Sequence, residues 1–200
     1  MTGSSLILAS ASTRRHQLLQ QLGVAFTVSV QDIDERKNDE ESPEEFVARM
    51  ADEKASAALL SRTENNVIIL ASDTVVVCED LVLGKPKDKS DGLKMLRRLS
   101  NNTHRVLSAV TIATAIKRES ILSETTVQFR EISELEAEQY WETGEPADKA
   151  GAYGIQGYAA VFVKSISGSY SGVMGLPLYE TAELLSDYGI AVWQPLQESD

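Results

Sequence analysis

The amino-acid sequence predicts an α/β fold built on a mixed twisted sheet with flanking helices. Three observations lead there. Apolar β-branched runs recur along the chain, stretches with leucine or alanine at helical spacing alternate with them, and helix caps or Gly/Pro signals mark most junctions. In such sheets ligands collect where strands end.

The first strand is the apolar run Leu6-Ile7-Leu8-Ala9, followed by Ser10-Ala11-Ser12-Thr13-Arg14-Arg15 and a helix carrying Leu18, Leu19 and Leu22, which Gly23 closes. The hydroxyl-rich turn is the most informative feature of the chain. Backbone N–H groups at a helix start lack intrahelical partners and attract anions. Arginines are the wrong residues for that end on dipole grounds, so Arg14 and Arg15 make sense under a strongly anionic ligand, which their guanidinium forks can grip. Ser10, Ser12, Arg14 and Arg15 are therefore candidate contacts to a polyphosphate. The competing reading has Ser12 or Thr13 as a plain cap with solvated arginines.

Val24, Phe26, Val28 and Val30 alternate as a second strand, and an acidic loop from Asp32 to Glu41 follows. Ser42-Pro43-Glu44-Glu45 is a capping box with proline at the first helical position, opening a helix that reaches Leu60. Val67 to Cys78 reads as a buried strand interrupted by Ala71-Ser72-Asp73-Thr74, and Glu79-Asp80 turns it back into Leu81-Val82-Leu83. Gly84-Lys85-Pro86 ends that strand ahead of a helix with Leu93, Leu96 and Leu99. Residues 106–116 and 120–130 form a hairpin around Lys117-Arg118-Glu119. Ser133-Glu134-Leu135-Glu136 is a second capping box, for a helix with Tyr140 and Trp141 that stops near Gly144. Two glycine-rich segments come next, 150–157 and 168–175, before a last helix opened by Pro177 and closed by Gly189.

The 200 residues suit one domain, with room for two lobes around a cleft. A formal net charge of -11 argues against a broad nucleic-acid surface, which needs a basic stripe. It does not exclude a nucleotide. Screening sets in over about 8 Å at physiological salt, whereas an opposite charge about 4 Å away contributes on the order of 4 kcal/mol at an effective dielectric near 20. Cys78 is the only cysteine and lies in Val75-Val76-Val77-Cys78, so the chain has no intrachain disulfide, and a buried inert thiol is expected. With no cleavable leader pattern and no run long enough to span a bilayer, a cytoplasmic protein without a membrane partner is expected.

Asp73 carries the sharpest chemical signal. A carboxylate among valines is costly to bury unpaired and must meet a metal, a cation or hydrogen-bond donors, unless Ser72-Asp73-Thr74 forms a local turn or bulge. Most of the acidic loop reads as a solvated face. Glu35 differs, because it follows the second strand where it could face Asp73, and two carboxylates from separate segments suit a hard divalent cation. Lys54 and Lys85 are candidate phosphate contacts. For Lys54 alone a surface ion pair is the commoner role, whereas glycine and proline pin the backbone around Lys85. Neither G-x-x-x-x-G-K-[ST] nor G-x-G-x-x-G occurs. His16 and His104 lack metal-ligand spacing and read as structural or solvated.

Taken together, residues 6–15, Ala71-Ser72-Asp73-Thr74-Val75-Val76, Gly84-Lys85-Pro86, Ala150-Gly151-Ala152-Tyr153-Gly154-Ile155-Gln156-Gly157 and Gly175-Leu176-Pro177-Leu178 resemble the Maf-type nucleoside triphosphate pyrophosphatases over nearly the whole chain. The resemblance implies a single domain over 1–200 with the Maf/ITPase-like arrangement of two lobes around a central nucleotide-binding cleft. It also implies a cytoplasmic homodimer that cleaves a nucleoside triphosphate between the α- and β-phosphates with Mg²⁺ or Mn²⁺. The glycine-rich stretch 150–157 resembles the branch preferring dTTP and UTP over the one associated with 7-methyl-GTP. By the same resemblance Asp73 is the proton acceptor, and Arg14, Thr74 and Gln156 stand at positions linked to substrate choice. Thr13 replaces the proline of many relatives without removing a functional group.

Residue chemistry and resemblance combine into one expected mechanism. Glu35 and Asp73 hold the metal, Asp73 takes a proton from water attacking the α-phosphorus, and Arg14, Arg15, Lys54 and Lys85 neutralise the departing pyrophosphate. The Gln156 amide, a donor and an acceptor in one plane, suits the N3–H and carbonyl edge of uracil or thymine. Two alternatives stand beside this reading: a broader house-cleaning enzyme acting on modified nucleotides, and a non-catalytic nucleotide-binding regulator of cell division.

Overall fold

A computed structural model describes residues 5–63 and 66–193 of the chain. Among the described residues seven strands form one mixed sheet: β1 (Ser5–Leu8), β2 (Thr27–Val28), β3 (Val67–Cys78), β4 (Leu81–Leu83), β5 (Thr103–Ala113), β6 (Arg118–Phe129) and β7 (Val163–Ser167). Their order is β2-β1-β3-β5-β6-β7, with β4 pairing β3. Flanking helices are α1 (Thr13–Gln21), α2 (Pro43–Leu60), α3 (Lys89–Leu99), α4 (Glu134–Glu142), α5 (Tyr170–Met174) and α6 (Leu178–Asp187). The α/β class and the mixed sheet expected from the sequence are what the chain adopts. The described residues divide into two compact units.

The first unit comprises residues up to 73, residues 109–122 and those from 175 onward. Here β1 lies parallel to both neighbours, with Ile7 level with Thr27 on one side and Leu8 level with Leu70 on the other. Ile7, Ala9, Val67, Ile69 and Ala71 of this sheet pack against Ala55 and Ala58 of α2, whose missing side-chain bulk lets the helix lie close. Both capping interactions of the Ser42 box are present, with Pro43 at the helix start. Helix α1 starts on Ser12, whose hydroxyl accepts from the Arg15 N–H, and Gly23 follows it with φ of 63°.

The second unit comprises residues 74–108 and 123–174. β3 turns back through Glu79 and Asp80, both at positive φ (52° and 64°), into antiparallel β4. Within the aliphatic core of this unit lies an aromatic cluster: Phe129 stacks edge-on with His104 (4.9 Å) and Tyr153 (4.9 Å), and Tyr140 packs edge-on against Phe162 (5.3 Å). Trp141 of α4 lies so tightly over Gly92 of α3 that a side chain there would collide with its ring.

Several local expectations change. Instead of the longer alternating strand, β2 has two residues, both exposed: Val30 lies beyond it at 63% exposure and Val24 before it is buried. Strand β3 runs unbroken through Ser72-Asp73-Thr74, so the local turn or bulge does not form. The β5–β6 connection closes earlier than expected, where the Thr114 N–H donates to the Lys117 carbonyl. The glycine-rich stretches hold more regular structure than their composition suggests, a short 3-10 turn at Ala150–Ala152 and helix α5, and a further 3-10 turn at Tyr158–Phe162 follows the first of them. Strand β7 lies between them and pairs with β6, Val127 opposite Ile166.

Candidate active site

In the first unit the site grows from the carboxyl ends of parallel strands. The Ala9 N–H donates to Leu70 O at 2.8 Å, so β1 runs out into the Ser10–Arg15 turn just where β3 continues toward Asp73. Ser10 is buried and its hydroxyl accepts from the Ser12 N–H at 3.2 Å. Lys54 lies on α2 between the turns that bury Met50, Ala51, Ala55 and Ala58, at the margin of the apolar stripe. Its stem therefore runs beneath protein and its ammonium emerges at Asp73. Lys54 Nζ stands 2.7 Å from Asp73 Oδ1 and 2.6 Å from Glu35 Oε1. The Lys54 and Asp73 side chains are only 12% and 14% exposed, so this is no surface ion pair; Glu35, at 55%, closes the group from outside.

Arg15 joins the same neighbourhood. Loss of hydration holds its guanidinium below the usual arginine value; Asp73 raises it, Arg14 lowers it and Glu35 raises it. Its Nε donates to the Gly175 carbonyl at 2.8 Å, and buried Ser72 donates to that same oxygen at 2.9 Å. Ser12 is thus a cap, as the plain reading held, but Arg15 is not a solvated side chain. Arg14 is half-buried in the first turn of α1. The acidic loop is a solvated face as expected, with Asp32 and residues 34–40 exposed, and its end at Glu41 is tied down. Arg49 Nε meets Glu41 Oε1 at 2.6 Å and Arg49 Nη2 donates to the Arg36 carbonyl at 3.0 Å, tying the loop to α2.

Glu35 and Asp73 fit a hard divalent cation by donor type, since both offer carboxylate oxygen to a single cationic position. Among the described residues no group of three or more His, Cys, Asp or Glu side chains gathers as a metal site. A cation held by these two would therefore complete its shell with water and phosphate oxygens, the habit of Mg²⁺.

The second unit holds Thr74, Lys85 and Gln156. Ser108 spends its hydroxyl proton on Gly172 O (2.7 Å), so the Thr74 hydroxyl, 2.8 Å from Ser108 Oγ, is the donor of that pair. Lys85 is exposed, and its backbone is fixed next door, where the Gly151 N–H donates to Gly84 O at 3.0 Å. Gly151 has φ of 69° and presses on Val76, a close approach only glycine allows. Two sequence motifs, 84–86 and 150–157, thereby meet. Within the second motif Ile155 is buried and Gln156 exposed, so the loop is anchored by one side chain and offers the next. Cys78 is buried, and burial raises its thiol above the usual range. His104 is structural: burial pushes it down to about 4, and its Nε2 pairs with the Tyr153 hydroxyl at 2.9 Å. His16 is exposed and meets the Phe26 ring edge-on.

Sequence reasoning did not foresee that Ser72 and the Gly175 carbonyl brace Arg15, because hydrogen bonds between distant segments leave no spacing signal. Nor did it foresee that Lys54 serves both carboxylates at once.

The Maf-like protein family model matches residues 5–188 of the chain. A dTTP/UTP pyrophosphatase of Saccharophagus degradans is 51% identical over 195 residues, covering 96% of this chain and 93% of its own. One from Vibrio vulnificus is 49% identical, covering 92% and 98%. One from Hahella chejuensis is 46% identical, covering 94% of each. With the family's motifs spread over both units and full-length relatives at this identity, the chain belongs to the Maf-like protein family.

Proposed function

We propose that the protein is a nucleoside triphosphate pyrophosphatase that hydrolyses dTTP and UTP to the monophosphate and pyrophosphate. The observation that carries the chemistry is the Lys54 ammonium held between Asp73 and Glu35, beside an arginine-bearing helix start. Relatives named dTTP/UTP pyrophosphatase at 46–51% identity support the substrate class.

In this reading Asp73 accepts the proton of the water that attacks the α-phosphorus. The bond from that phosphorus to the oxygen bridging the β-phosphorus breaks, and pyrophosphate leaves. Lys54 orients the Asp73 carboxylate and adds positive charge. Arg14 and Arg15 engage phosphate oxygens at the α1 N-terminus together with Ser10 and Ser12. Lys85 neutralises the leaving pyrophosphate, and Thr74 and Gln156 select the base, roles that follow from the family resemblance. Glu35 and Asp73 would hold Mg²⁺ or Mn²⁺, which when bound neutralises phosphate charge. Positioning and charge stabilisation then account for most of the rate, as is usual for substitution at phosphorus.

In this reading residues 1–200 act as one catalytic domain of a cytoplasmic homodimer with neither nucleic-acid nor membrane partners. Among the described residues no helix is long and apolar enough to cross a membrane. A triphosphate panel assayed with Mg²⁺ or Mn²⁺, scoring pyrophosphate against orthophosphate, tests the function. Pyrophosphate from dTTP and UTP ahead of CTP is the expected result. Binding without turnover would point instead to a regulator, and equal kcat/KM across modified nucleotides to a broader house-cleaning enzyme.

A further inference from the structure

The loop that presents Gln156 is not self-supporting. It is built around the carboxylate of Glu145, the first residue of the 3-10 turn Glu145–Asp148 that follows α4. Glu145 Oε1 accepts from the Tyr140 hydroxyl at 2.7 Å and from the Ala159 N–H at 3.3 Å, while Oε2 accepts from the Tyr158 N–H at 2.9 Å. The Tyr140 oxygen in turn accepts from the Gly154 N–H at 3.1 Å. One carboxylate and one phenol thus grip the backbone on both sides of Ile155 and Gln156. The glycines of the motif fit this arrangement. A Cβ at Gly157 would overlap the Glu145 carboxylate, and one at Gly154 would lie 3.1 Å from Glu145 Oε1. The grip itself is rigid, since Tyr140 is buried against Phe162 and Lys149 Nζ donates to the Glu145 carbonyl at 2.8 Å. A carboxylate accepting main-chain N–H groups makes strong charge-assisted bonds, whereas Gln156 itself is exposed and takes its place only from the loop backbone.

We propose that Glu145, locked by Tyr140, is a positioning residue for base selection: it sets the height and angle of the Gln156 amide without touching the nucleotide. The inference rests on the reading of Gln156 as the base-selecting residue. A misplaced recognition group discriminates poorly while leaving the reacting phosphates untouched, so the effect falls on KM for the preferred base and spares kcat.

The test compares kcat and KM for dTTP and CTP in wild type, Glu145→Ala, Tyr140→Phe, Gln156→Ala and the Glu145→Ala/Gln156→Ala double variant, with circular dichroism melts as a check on folding. The dTTP-over-CTP ratio of kcat/KM is expected to fall about 10- to 100-fold in Glu145→Ala through KM, and less, in the same direction, in Tyr140→Phe. In the Gln156→Ala background Glu145→Ala should change the ratio little further, because its effect passes through Gln156. A loss of kcat on both nucleotides with the ratio intact, or additive effects in the double variant, would overturn the proposal while the Gln156 reading stood. An unchanged ratio in Gln156→Ala would overturn that reading and the proposal with it. If Glu145→Ala does not fold, folded Tyr140→Phe decides alone: an unchanged ratio overturns the proposal.

Discussion

The two units hold their functional side chains by opposite means. In the first, charged groups are held by side chains and by each other: Lys54 between Asp73 and Glu35, Arg15 on the Gly175 carbonyl. In the second, Lys85 and Gln156 are exposed, and it is their backbone that is fixed, by Gly151 against Gly84 and by Glu145 and Tyr140 around residues 154–159. Groups that must move a proton or carry charge near phosphate gain from mutual electrostatics on rigid strands and helices. A group that must match a base edge gains from an exactly placed loop with a free tip. The difference also says what holds each group: neighbouring side chains in the first unit, the loop backbone in the second.

The largest effect should come from the first unit. Asp73→Asn keeps the shape of the side chain but cannot accept the proton, and kcat for dTTP is expected to drop about 10²- to 10⁴-fold in steady-state assays, with the melting curve retained. In the second unit Lys85→Met removes one charge from an exposed site and is expected to lower kcat about 10²-fold, the usual cost of one lost electrostatic contact in the transition state. A loss deeper than that of Asp73→Asn would reverse the ranking of the two units.

A third comparison concerns stability. His104 is held neutral in the aromatic cluster of the second unit, down to about 4, whereas in the unfolded chain it titrates near its ordinary value. Between those values the unfolded state binds the extra proton, so the stability held by neutral His104 is present above pH ~6.5 and is lost progressively as the pH falls toward 4. The drop between pH 7 and pH 5 should be about 2 kcal/mol by urea denaturation, and His104→Gln should remove that part of the slope. The smallest effect belongs to Ser72→Ala. Gly175 O keeps its bond from Arg15, so the loss should be about 1 kcal/mol in the same denaturation assay. A neutral result would mean Arg15 needs no second brace.

The same contrast decides what could be read from the sequence. Asp73 stood out because a carboxylate among valines breaks the pattern of a buried strand, and the caps at Ser12, Ser42 and Ser133 are local signatures that the fold keeps. The α/β class followed from the same periodicities. Glu145 was invisible for the opposite reason, since an acid beside Gly144 and Pro146 looks like any solvated turn until Tyr158 and Ala159 fold back over it. The Arg15 bond to Gly175 joins residues 160 apart in sequence, and β7 owes its existence to an exposed strand pairing with β6, neither of which leaves a periodic trace. The second strand is shorter than its pattern implies because alternating valines suit an exposed extended segment as well as a paired one.

The central claim is that water attacks the α-phosphorus rather than the β- or γ-phosphorus. Hydrolysis of dTTP in ¹⁸O-labelled water, with the products separated and weighed by mass spectrometry, addresses it directly. The label should appear in the monophosphate and be absent from pyrophosphate. Label in pyrophosphate, or release of labelled orthophosphate, would contradict the account.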